Sequence, residues 1–231
     1  MSGCLIIGKS IGRLTHTTVS CLLMKVGDSI RLAIDDFGRG EIEAAMLHAC
    51  NAVDGTAKKV YPTRRVGDRF TALIRDNDEI FGPMALRGVN TAETRWPVRI
   101  KSTLGRNVWP DTADLIYVQH RCAHGHGDEL PGDIALWADH IGIASQLHVE
   151  QGKVRLPWNT IFALIAVAVV EPVNIDQRVA DGQYLDWGDP KIHFEINDWW
   201  GRKDDFRAKL ATQPGPLITM NWAKWTANPP F

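Results

Sequence analysis

At 231 residues and 45% hydrophobic content, the chain is long enough for a sizeable core and has the apolar residues to fill it. Its formal net charge of -1 excludes an overall basic field of the kind that holds nucleic acid, so any such binding must come from local patches. Four cysteines, Cys4, Cys21, Cys50 and Cys122, form no CxxC pair, which excludes a zinc knuckle and a disulfide scaffold and fits a reducing cytoplasm.

Residues 1–23 hold two apolar stretches, Cys4 to Ile7 and Val19 onward, but no compact hydrophobic region leads into a small-residue cleavage site, so no signal peptide is expected. Met24-Lys-Val-Gly reads as good a start as Met1, and residues 1–40 stand as an N-terminal segment without an assigned fold. From Glu41 to Tyr61, Ile42, Met46, Ala49, Val53, Ala57 and Val60 recur at steps of three and four, which predicts an amphipathic helix stopped by Pro62. Its other side carries His48, Asn51, Gly55 and Lys58, with the glycine admitting the close approach of another helix.

Phe70, Leu73, Ile74, Ile80, Phe81 and Met84 repeat that spacing and predict a second helix over 69–84, with Asn77 on its apolar side as a hydrogen-bonded clasp or, alternatively, part of a polar site. Residues 85–110 hold Gly88, Pro97, Gly105 and Pro110 without helical periodicity, and only 96–100 has strand character. Asp111 or Thr112 caps a third helix that continues from Ala113 to His124 and is ended by Gly125, Gly127 and Pro131. Gln146 to Glu150 and Lys153 to Leu156 read as two short strands around Gln151-Gly152, after which Asn159 caps an apolar fourth helix closed by Glu171-Pro172. The apolar run of this helix, Ile161 to Val170, is about half of the ~20 residues a membrane span needs, so it reads as a buried core helix.

A second hairpin is expected over 184–196, and Trp199, Trp200, Trp222 and Trp225 pin the tail onto the domain by burying large apolar area. The expected fold is therefore mainly α. A helical bundle occupies 41–171 with short β-hairpin insertions, and a tryptophan-rich extension over 172–231 packs on the same domain.

The stretch richest in chemistry runs from His120 to Glu129, where three histidines, Arg121, Cys122, Asp128 and Glu129 fall within ten residues. Histidine can take and return a proton near neutral pH, and arginine offers a permanent cation suited to phosphate oxygens. Together they point to phosphodiester chemistry. The basic residues gather in two groups, Lys58, Lys59, Arg64 and Arg65, and Arg95, Arg99, Lys101 and Arg106, of which the first is the expected RNA contact.

Four helices with a histidine motif closing the third resemble the HEPN superfamily over roughly 41–171. The signature of that family is an arginine, four to six intervening residues and a histidine, and Arg121-Cys-Ala-His-Gly-His126 has four between. The resemblance implies a helical bundle and a metal-independent endoribonuclease without a cofactor, in which a 2′-hydroxyl attacks the adjacent phosphate. His126 would move the proton and Arg121 would stabilise charge on the pentavalent phosphorus. It also implies a homodimer whose two motifs meet across a cleft, and a toxin or phage-defence role with a cognate antitoxin or defence partner. His124, His120, Asp128 and Glu129 are then supporting residues, and Asn51, Asp54 and Lys58 of the first helix line the same cleft. Cys122 departs from the small polar residue that many active members carry after the arginine.

Two other readings compete for these residues. His120, Cys122, His124, His126, Asp128 and Glu129 are competent metal ligands, as a metal-dependent hydrolase would require, although no motif such as HExxH fixes a third ligand. Alternatively, the histidines pack a helix end, and the domain binds nucleotides, RNA or a protein partner without catalysis.

Overall fold

Helix α1 (Val26–Gly38) opens the part of the chain that the computed structural model describes, residues 25–101, 107–118, 134–137, 147–187, 192–212 and 217–222. Its first turn is closed by the Lys25 amide, which donates to the Asp28 carboxylate at 3.3 Å. The chain leaves the helix through Gly40, whose φ of 79° suits glycine and strains other residues. Val26, Ile30 and Ala33 lie on one face and are buried, so this stretch, unassigned from sequence, is a core helix packed on the next one.

Helix α2 (Ile42–Val60) fills the predicted span, with Ala45, Met46, Ala49, Val53 and Ala57 buried. A Cβ on Gly55 would sit 3.2 Å from Val26 Cγ2, so the glycine sets how closely α1 and α2 approach.

The single helix expected over 69–84 is two helices, α3 (Val66–Arg75) and α4 (Asp78–Ala85). The break falls at Asp76-Asn77, because the Asn77 carboxamide donates to Leu73 O at 2.8 Å and so occupies a carbonyl near the end of α3. Phe70, Leu73, Ile74, Ile80, Phe81 and Met84 are all buried nonetheless. The apolar periodicity survives the break while the helix does not.

Beyond α4, the expected strand over 96–100 shrinks to β1 (Ile100–Lys101), paired with β2 (Asn107–Val108). Trp96 is instead a core side chain whose indole donates to Thr112 Oγ1 at 3.0 Å. Helix α5 (Thr112–Ile116) starts as predicted, the Asp111 carboxylate accepting from the Asp114 amide at 2.9 Å. The predicted continuation toward His124 lies largely outside the described residues.

Strand β3 (Ile134–Trp137) runs parallel to β5 (Lys153–Pro157), while β4 (His148–Glu150) and β5 form the predicted antiparallel hairpin through Gly152. The parallel neighbour was not expected, because parallel pairing arises from chain crossover and leaves no turn signature.

Helix α6 (Asn159–Val170) is the centre of the core: every residue from Ile161 to Val170 except Phe162 is buried, and it packs against α1, α2 and α4. A helix apolar all round has no solvent face to present, and each large side chain buried in it contributes about 1.5–3 kcal/mol. Asn159 is its first helical residue rather than its cap; Trp158 holds the capping position and no side chain closes that end.

The second hairpin pairs β6 (Tyr184–Trp187) with β7 (Ile192–Glu195), and an unforeseen helix α7 (Lys203–Ala211) follows. Trp200 is buried, and Trp199 stacks on Phe194 with centroids 5.7 Å apart. Trp222 packs on the core with its ring 6.3 Å from Trp96, whereas Trp225 lies outside the described residues. The fold is mainly α with short β elements, and one hydrophobic cluster collects residues from α1 through α7. Among the described residues, no helix is long and apolar enough to cross a membrane.

Candidate functional site

The break between α3 and α4 opens a cleft of about 250 Å³ against the start of α5, lined by Ile74, Arg75, Asp78, Phe81, Thr91 and Arg95 together with Asp111 to Ala113. Helix chemistry places the charges: Arg75 ends α3, Asp78 begins α4 and Asp111 caps α5, each with the sign its terminus favours. The loop from Gly88 to Thr94 forms the remaining wall and is backed by the returning tail. Ile218 N donates to Gly88 O at 2.8 Å, Asn90 N to Ile218 O at 3.0 Å, and Met220 N to Thr94 Oγ1 at 3.3 Å.

Arg75 is paired with two aspartates. Its Nε and Nη2 meet both oxygens of Asp111 at 2.7 and 3.1 Å, and Nη2 reaches Asp114 Oδ1 at 2.7 Å. Burial opposes its charge, but the hydrogen bonds and charges of the two aspartates outweigh that and hold the guanidinium above its ordinary range. Burial also raises the Asp114 carboxyl, the Asp111 charge adding and Arg75 opposing.

Asp78 has a different position. Thr91 donates its hydroxyl to Asp78 Oδ1, and no described residue donates to Oδ2. Burial pushes the Asp78 carboxyl above the usual carboxylate range, against the Thr91 hydrogen bond and with the charges of Asp111 and Glu79 adding. Gly82 makes this pairing fit, since a Cβ there would stand 2.9 Å from Thr91 Oγ1. Arg95 is anchored by Nη1, which donates to Ala92 O at 2.9 Å and Thr94 O at 3.1 Å, leaving Nε and Nη2 without a partner among the described residues.

On the far side of the same break lies a closed polar cluster. Asn77 Nδ2 donates to Glu171 Oε1 at 2.7 Å, and Lys203 Nζ donates to the same oxygen at 2.8 Å. Beside it, Asn174 donates to Thr56 Oγ1 and Ala168 O and accepts from Lys59 Nζ, at 2.7 to 2.8 Å. Through Nδ2, Asn77 is thus a clasp joining the α3–α4 break to the end of α6 and the start of α7, while its Oδ1 is buried without a partner among the described residues.

The sequence-selected residues fall in three places. Arg121, His126, His124, His120, Asp128 and Glu129 lie outside the described residues. On α2, Asn51 is half-buried, Asp54 accepts from Arg69 of α3 at 3.0 Å, and His48 Nε2 approaches Asp36 of α1 at 3.4 Å. Lys58, Arg64 and Arg65 stay exposed around the α2–α3 turn, with Arg64 4.3 Å above the Tyr61 ring, while the Lys59 amine is held by Asn174. Among the described residues, no group of three or more His, Cys, Asp or Glu is arranged to hold a metal ion.

Sequence reasoning missed the cleft. Arg75 and Asp78 fall inside one expected helix, Asp111 has the spacing of a cap, and Arg95 belongs to a basic group. The composition Arg75-Asp-Asn-Asp78 was the available signal, since Asp and Asn bond to nearby backbone and so interrupt a helix.

The family model named Rv1289 matches residues 25–226. Curated relatives include the uncharacterized protein Rv1289 of Mycobacterium tuberculosis and the uncharacterized protein Mb1320 of Mycobacterium bovis, each 37% identical over 210 residues that cover 89% of this chain and 99% of the relative. No solved structure matches the chain. The match along nearly the whole length of both partners makes this chain a member of the Rv1289 family.

Proposed function

We propose that the protein is a cytoplasmic, metal-independent endoribonuclease of HEPN type, with Arg121 and His126 as the reacting pair. The observation that carries this reading is the start of α5. Asp111 caps it where the sequence requires, Ala113, Leu115 and Ile116 anchor it in the core, and Arg121 follows Ile116 by five positions. The mainly α fold is the class that the resemblance implies.

His126 accepts the proton of an RNA 2′-hydroxyl as its oxygen bonds to the adjacent phosphorus. The bond from phosphorus to the 5′-oxygen breaks, and that oxygen takes up a proton, leaving a cyclic phosphate and a free 5′-hydroxyl. Arg121 offsets the charge that develops on the phosphoryl oxygens. Lys58, Arg64 and Arg65 supply exposed cations for the RNA backbone, and two copies of the chain contribute one motif each. A host-limiting role, restrained by an antitoxin or defence partner, follows from the family analogy.

Purified protein incubated with total RNA in excess chelator tests this reading beside Arg121→Ala and His126→Ala. Cleavage that resists chelator and disappears in both variants is the expected result. Cleavage that needs added metal, or its absence under all conditions, overturns it.

A further inference from the structure

We propose that the cleft between α3, α4 and α5 is a guanine-binding site, which deepens and rests on the RNA-cleavage reading by naming the base its substrate presents. Arg75 is matched by Asp111 and Asp114, so those three groups form a finished structural unit. Among the described residues, nothing donates to Asp78 Oδ2 and nothing accepts from Arg95 Nε or Nη2, so these atoms remain for a ligand. One acceptor group and one donor group therefore line a common cavity.

The Asp78 carboxylate can still accept at Oδ2 and at the second lone pair of Oδ1 beside the Thr91 hydroxyl, so it is best met by two neighbouring N–H donors. Among the four RNA bases, only guanine carries such a pair, at N1 and the exocyclic N2. Adenine and cytosine place an acceptor beside their amino group, and uracil flanks its single N–H with carbonyls. The donors of Arg95 in turn suit the O6 and N7 acceptors that guanine presents. Ile74, Phe81 and Ala113 give the cleft an apolar portion for a ring. Its volume of about 250 Å³ lies just below the ~300–1,000 Å³ of drug-sized pockets, which suits one nucleotide base rather than a longer ligand.

The raised carboxyl of Asp78 adds a pH signature: its protonation removes an acceptor, so guanine affinity falls on acidification before an ordinary aspartate would titrate.

Isothermal titration of the full chain with GMP, AMP, CMP and UMP tests the site. The expected result is GMP binding at least tenfold tighter than the other three, with Asp78→Asn and Arg95→Ala each lowering GMP affinity at least tenfold. Arg95 is exposed, so its variant keeps the fold even if the Asp78 variant does not. Equal binding of all four nucleotides, no binding, or wild-type GMP affinity in a folded Arg95→Ala protein overturns the proposal. GMP selectivity in a wild-type protein that cleaves no RNA under any condition sinks the cleavage reading and leaves the site standing. Cleavage without GMP selectivity does the reverse.

Discussion

Two polar regions meet at the α3–α4 break and differ in how completely their groups are matched. Toward the core, Glu171 is only 6% exposed and takes hydrogen bonds from Asn77 and Lys203, while Asn174 is 0% exposed and bonded on both sides of its carboxamide. Toward solvent, the cleft shows the same side-chain chemistry with Asp78 and Arg95 left partly unmatched. Matched buried groups hold helices in place, because losing one partner strands the other away from water. Unmatched groups at an open rim add little to folding and are free to meet a ligand.

The largest expected effect breaks the closed side. Glu171→Ala removes the acceptor of the Lys203 amine and one of the two acceptors of Asn77 Nδ2, and costs about 3 kcal/mol, which lowers the melting temperature by about 6–12 °C for a chain of this size. A shift below ~2 °C by thermal denaturation would remove the clasp from the account of stability.

The open side responds in the opposite direction. The folded state raises the Asp78 carboxyl, so the folded protein binds that proton more tightly than the unfolded chain does. Its stabilising contribution is full below the unfolded pKa and is lost as pH rises through the folded one. Asp78→Asn removes the ionisation and therefore leaves stability at neutral pH unchanged or raises it slightly. Urea denaturation of both proteins at pH 4 and pH 7 checks this. A marked loss at pH 7 would make Asp78 a structural residue like Glu171.

The smallest effect comes from a third arrangement, fully exposed. On the β6–β7 hairpin, His193 Nδ1 lies 2.9 Å from Asp186 and Nε2 3.1 Å from Glu195, and these hydrogen bonds, Asp186 first, raise its pKa. The protonated ring links the two strands below the unfolded pKa, and this contribution disappears as pH rises through the folded value. Proton NMR titration of the His193 ring should show a midpoint above the ordinary histidine range, returning toward it in Asp186→Asn. A midpoint unmoved by that substitution would leave the hairpin without its pH dependence.

Much of the fold was legible from apolar spacing. Ile42 to Val60 gave α2, Ile161 to Val170 gave the core helix, and the Asp111 cap marked the start of α5. Three things were not. The break at Asn77 was hidden because Phe70 to Met84 keep their helical rhythm through it. Strand β3 was hidden because its partner β5 lies beyond a crossover. Helix α7 was hidden because it buries only Phe206 and Leu210, too few positions to make a stripe. The cleft depends on Arg75 meeting Asp111, 36 positions apart, which no local pattern records.

Residues 75–78 leave the break in three directions: Arg75 and Asp78 into the cleft, Asp76 to the Tyr61 hydroxyl, and Asn77 into the core. With so short a length of backbone carrying all three, no one of them can shift far without disturbing the others. The wall of the cleft and the clasp therefore share one short stretch of backbone. A substitution at Glu171, which lies outside the cleft, is therefore felt at Arg75 and Asp78 through residues 76 and 77.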